Sequence, residues 1–136
     1  MAGGTTPSNL SQPEAVDYQR ALSGRVRVSV PRIAVGENAS TNLALLLHEL
    51  ATNSVKYGAL SVATGTLDVT CSVRDRDVVL VWTERGGPPV EEPDRTGFGS
   101  KLIVRIASQL GGTFDTEWSA GGAIINVAMK VDRLAT

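Results

Sequence analysis

A chain of 136 residues is long enough for one domain that buries a core without disulfides, and its one cysteine, Cys71, excludes a disulfide framework. Thirteen basic residues against 14 acidic ones leave a formal net charge of −1, and with no basic block or aromatic-interleaved patch nothing points to nucleic acid. No apolar run approaches the roughly 18 residues that cross a bilayer, and the amino terminus lacks a signal-peptide pattern, so the expected compartment is the cytoplasm.

Residues 1–20 are rich in Gly, Thr, Ser, Pro and Gln without a sustained period, and are expected to be a tail or linker remnant, with the folded domain over 21–136. From Arg25 to Ile33 the residues alternate with period two, placing Val26, Val28 and Val30 on one face and Arg25, Arg27 and Ser29 on the other. This predicts a strand with one wet face, ended by Pro31. Asn38, Ser40 and Thr41 offer caps for a helix over 43–61 that ends at Gly58, with Leu43, Leu46, Leu47, Leu50 and Ser54 as its core stripe. Gly65–Val73 and Val78–Trp82 form a hairpin around the charged turn Arg74–Asp77, and Cys71 in its alternation is expected to be a buried structural thiol. Residues 84–99 hold too many glycines and prolines for regular structure, and long loops in compact domains are usually functional. A second amphipathic helix, Ser100–Leu110, stops at Gly111-Gly112, and a last hairpin joins Thr113–Trp118 to Ala123–Val131. The order predicts an α+β two-layer sandwich: one mixed, mostly antiparallel sheet covered on one face by helices.

Three stretches carry chemistry. Along the first helix Glu49, Asn53 and Lys56 follow the i, i+4, i+7 spacing and so stack in one row, where a carboxylate, an amide and an ammonium can hold a metal ion and a polyphosphate. The same spacing is also that of an ordinary solvated face with a Glu–Lys pair. Gly97-Phe-Gly-Ser leads into a helix start, which makes either a phosphate cradle of free backbone N–H groups or a plain loop-to-helix junction. In Trp82-Thr-Glu-Arg-Gly-Gly-Pro88 a strand ends on a carboxylate before a glycine turn. Such a carboxylate can accept a hydrogen bond from an exocyclic amine such as adenine N6, or simply be a solvated strand end.

Together, in this order, the three resemble the catalytic ATP-binding domain of the HWE family of sensor histidine kinases, in the wider class that includes gyrase and MutL. The resemblance runs from about residue 24 to 131 and rests on His48-Glu-Leu-Ala-Thr-Asn-Ser-Val-Lys-Tyr-Gly-Ala-Leu-Ser61 and on Trp82 with Glu84. It implies a Bergerat-type ATP-binding fold and the cofactors ATP and Mg²⁺. By the same resemblance, Asn53 coordinates Mg²⁺, Glu49 is the catalytic residue that orients the reacting phosphate or its acceptor, and Lys56 contacts phosphate. Tyr57 lines the adenine pocket, Glu84 reads adenine N6, and Gly86 and Gly87 make room for the base. Gly97, Gly99 and Ser100 meet the phosphates under a lid formed by Pro88–Thr96. One departure is Ala123, which stands where many relatives carry a threonine that helps the base-reading carboxylate through water.

As the only histidine, His48 invites a phosphoacceptor reading, but it lies roughly 100° around the helix from the Glu49 row. A structural place beside the pocket is expected instead. The phosphoacceptor histidine is then expected on a separate helical domain of the same kinase, with a response regulator downstream, and with neither nucleic acid nor membrane contact by this segment. Two other readings remain open: a stand-alone anti-sigma-factor-type serine kinase, against which the Trp82–Glu84 and His48 signatures argue, and a non-catalytic nucleotide-binding or docking module.

Overall fold

The computed structural model of the chain describes residues 24–88 and 98–136. The expected tail over residues 1–20, Gly97 and the expected lid beyond Pro88 lie outside these residues. The described elements are strands β1 (Val26–Ser29), β2 (Thr66–Arg74), β3 (Asp77–Arg85), β4 (Thr113–Ser119) and β5 (Gly122–Lys130), and helices α1 (Glu37–Lys56), α2 (Phe98–Gln109) and α3 (Val131–Leu134). A single 3₁₀ turn, Ala59–Ser61, follows α1.

The sheet order is β1-β2-β3-β5-β4. Its β1–β2 pair is parallel because α1 carries the chain across between them, the hairpins β2–β3 and β4–β5 are antiparallel, and β5 inserts between β3 and β4, antiparallel to both. The register lines up Val69, Trp82 and Ile125 across β2, β3 and β5, and likewise Cys71, Leu80 and Val127. These rows form one face, on which Leu46 and Leu50 of α1 and Ile103, Ile106 and Leu110 of α2 pack to make the core. The expected mixed, mostly antiparallel sheet with helices on one face is the fold observed. Cys71 is half-buried rather than buried, and the partial loss of water pushes its thiol pKa up, so it is held as a thiol.

Four local expectations are corrected. The first strand stops at Ser29, before Pro31, and Val28 and Val30 are exposed although Val28 lies beside the buried Val69, because β1 is the sheet edge. Helix α1 begins at Glu37 with Gly36 as its cap residue, so Asn38, Ser40 and Thr41 lie inside the helix and do not cap it. Its first N–H groups are met from the far end of the chain: Gly36 donates to the Leu134 carbonyl at 2.7 Å and Asn38 to that of Thr136 at 3.3 Å. Helix α1 ends at Lys56, two residues before the expected stop at Gly58, and Ala59–Ser61 form the separate 3₁₀ turn. The last strand ends at Lys130, and Val131 opens the short α3, whose Leu134 returns to the core.

Candidate functional site

The candidate site is assembled where the end of α1, the 3₁₀ turn, the end of β3 and the β4–β5 turn come together. On α1 the predicted core stripe is confirmed by burial: Leu46, Leu50 and Ser54 are inaccessible, and Leu43 and Leu47 are half-buried. Glu49 and Asn53 lie half-buried along the border of this stripe, and Lys56 is exposed one turn further on. None of the three side chains makes a hydrogen bond or ion pair to another described residue. Tyr57, the residue that ends the helix, is exposed. His48 is exposed too, and so is not packed into the frame as expected.

Glu84 occupies an unusual place for a carboxylate. Strand β3 buries every second residue, Val78, Leu80, Trp82 and Glu84, so Glu84 is the last member of the inward-facing row and only 8 % exposed. A carboxylate there must be hydrogen-bonded to be tolerated. Both oxygens are: Ala59 N–H donates to Oε1 at 2.9 Å and the Trp82 indole Nε1–H donates to Oε2 at 2.8 Å. Both partners are uncharged, and Arg85, the adjacent cation, pairs with Asp68 at 3.1 Å instead. Glu84 is thus oriented without being neutralised, and each oxygen retains a second lone pair.

The glycine turn after β3 is clamped from two sides. The Gly86 carbonyl accepts from Thr64 Oγ1 at 2.9 Å, and Gly87 N–H donates to the Gly121 carbonyl at 2.8 Å. Gly86 has φ +72°. A Cβ on Gly87 would stand 2.8 Å from the Ala59 Cα, so the backbone of the 3₁₀ turn already needs the room that Gly87 leaves. Ala123, buried, is directly across the sheet from Glu84. Gly99 and Ser100 form the first turn of α2, as a loop-to-helix cradle requires.

The structure therefore brings the carboxyl-terminal end of α1 and the 3₁₀ turn together with Glu84, Gly86 and Gly87. Reading the sequence missed two residues that build this site. Trp82 entered only as a family signature, although a Trp two positions before a Glu on one strand face was a legible donor–acceptor pair. The Ala59 N–H carried no sequence signal, because it depends on α1 ending at Lys56.

The donor chemistry also fits a divalent cation. Asn53, with an amide oxygen that no described residue occupies, suits a hard ion that takes one or two protein ligands and completes its shell with phosphate and water. No group of three or more His, Cys, Asp or Glu residues that could hold a metal occurs among the described residues.

No family model matches the chain. Among curated proteins, blue-light-activated histidine kinase 1 of Erythrobacter litoralis is 40% identical over 117 residues, covering 84% of this chain and 32% of that protein. The chain spans about a third of this relative's length. Among solved structures, the histidine kinase domain of the Erythrobacter litoralis EL346 blue-light-activated histidine kinase superposes with a TM-score of 0.70 at 19% identity, covering 90% of this chain and 62% of the other. The ATP-binding domain of PrrB from Mycobacterium tuberculosis gives a TM-score of 0.58 at 24% identity, covering 85% and 87%. The fold is that of the ATP-binding catalytic domain of sensor histidine kinases. By sequence the chain is a relative of those kinases, matching one portion of them.

Proposed function

We propose that this chain is the catalytic domain of a cytoplasmic sensor histidine kinase, binding ATP with Mg²⁺ and presenting the γ-phosphate to a histidine on a separate helical domain of the same kinase. A response regulator would then take the phosphoryl group. The observation that carries this reading is the Glu49–Asn53–Lys56 row, which stands without partners among the described residues on the helix whose end meets a buried carboxylate that accepts two hydrogen bonds. No helix of the described residues is long and apolar enough to cross a membrane.

Phosphoryl transfer needs positioning and charge neutralisation more than covalent chemistry from the protein. Asn53 would hold Mg²⁺, which when bound supplies positive charge to the phosphate oxygens. Lys56, exposed at the helix end, adds a mobile cation for the same phosphates. The N–H groups of Gly99 and Ser100, in the first turn of α2, have no partner within their own helix and can donate to phosphate. At the other end Glu84 accepts from the adenine amino group, and Tyr57 flanks the base. Glu49, half-buried on the same row, would orient the incoming imidazole and hold its proton. The relatives' names support the kinase reading over a serine kinase of the anti-sigma-factor type.

Asn53→Ala tests the assignment. Calorimetry should show that added Mg²⁺ tightens ATP binding to the native chain and leaves ATP binding to the variant unchanged. A variant with a full Mg²⁺ response would remove Asn53 from the metal site.

A further inference from the structure

We infer that Trp82 is a positioning residue that sets the base preference of the site by fixing the orientation of Glu84. The inference rests on the proposed role of Glu84 as the adenine reader. A carboxylate that protrudes on a flexible side chain can turn to meet an amine, a hydroxyl or a water, and so discriminates weakly between bases. Glu84 has no such freedom. One oxygen is held by a main-chain N–H and the other by the indole of a side chain that is itself 4 % exposed and packed into the core.

The chemistry of the two anchors matters as much as their number. An indole N–H and a backbone N–H only donate, so neither can accept from an incoming amino group in competition with Glu84. Neither carries charge, so the carboxylate keeps its negative potential and repels a carbonyl in the position of an amine. A Lys or Arg at position 82 would hold the carboxylate but cancel that potential, and a Phe would leave one oxygen without its donor. Strand pleating supplies the geometry, since residues 82 and 84 face the same side of β3. Gly58 leaves the room this orientation needs, since a Cβ there would collide with Oε1.

The test compares ATP with ITP, whose base carries a carbonyl where adenine has its amino group, by calorimetric titration of the 136-residue chain. The native chain prefers ATP. Trp82→Phe should weaken ATP binding by about tenfold while leaving ITP within about twofold, because only the amine-directed hydrogen bond to a charged acceptor is lost. Replacing Trp82 with 3-benzothienylalanine, which exchanges the N–H for sulfur in a ring of the same shape, should give the same split and decides the matter if the Phe variant folds poorly. In a Glu84→Gln background the Trp82→Phe change should cost ATP binding nothing further, since Trp82 acts through Glu84. Equal losses for both nucleotides, no loss for either, or additive losses in the double variant would reduce Trp82 to packing and overturn the inference. A native chain that binds ATP and ITP equally would instead overturn the reading of Glu84 itself.

Discussion

At the scale of single residues, Gly58 shows how a site can be limited by space rather than by conformation. Its φ of −103° and ψ of −150° are open to any residue. What excludes a side chain is the neighbour: a Cβ would overlap Glu84 Oε1 and stand 3.1 Å from the Ser54 Cα. Gly58→Ala must therefore either push the carboxylate off the Ala59 N–H or shift the end of α1. Overpacking at such a contact costs roughly 1–3 kcal/mol. The expected outcome is a lower urea midpoint with an unchanged m-value, together with a loss of the ATP-over-ITP preference, because both effects run through the same carboxylate. A fall in stability with the base preference intact would separate Gly58 from the site.

At the scale of elements, the start of α1 depends on the last residues of the chain. Leu134 is 1 % exposed and anchors α3 in the core, and its carbonyl and that of Thr136 serve the N–H groups of Gly36 and Asn38. Gly36 suits the arrangement because the Thr136 backbone lies where its Cβ would be. Leu134→Ala keeps every backbone group of this cap but removes its anchor, and should cost about 2–5 kcal/mol, as other buried Leu→Ala changes do. Amide exchange at Gly36 and Asn38 should accelerate more than exchange at Leu80 in the central strand. Uniform acceleration would mean that the cap has no local role.

The same elements explain what was legible in the sequence. Periodicity marked the core stripe of α1 and both hairpins because burial follows pattern, and the Glu49–Asn53–Lys56 row followed from helix geometry alone. The cap of α1 was misread because Asn38, Ser40 and Thr41 have the right chemistry, and nothing local announces that carbonyls about 100 residues away take their place. Gly58 marked the end of α1 to within two residues, but not the 3₁₀ turn that follows, where the Glu84 carboxylate accepts from the Ala59 N–H, because that contact belongs to the tertiary structure.

At the scale of the whole molecule, stability and chemistry are kept apart. The three ion pairs among described residues, Arg76–Asp132, Arg85–Asp68 and Lys130–Asp77, involve largely exposed groups, and such pairs contribute little. The fold is held by the core between helices and sheet, and the side chains of the α1 row take no part in its described hydrogen bonds or ion pairs. That row cannot also supply its own phosphoacceptor. His48 is on the same rigid helix, one residue from Glu49 and so roughly 100° around it, whereas in-line attack requires the nucleophile to face the phosphate from the side opposite the leaving oxygen. With no other histidine in the chain, the acceptor imidazole of the proposed reaction has to come from another domain. Incubated with labelled ATP and Mg²⁺, the chain should gain no acid-labile phosphate, and His48→Ala should leave nucleotide binding unchanged. Adding a phosphoacceptor-histidine hairpin from a related kinase should yield label on the hairpin, and Glu49→Gln should reduce that transfer far more than it reduces ATP binding. Acid-labile label on His48 would instead place the acceptor within this chain and require α1 to rearrange during the reaction.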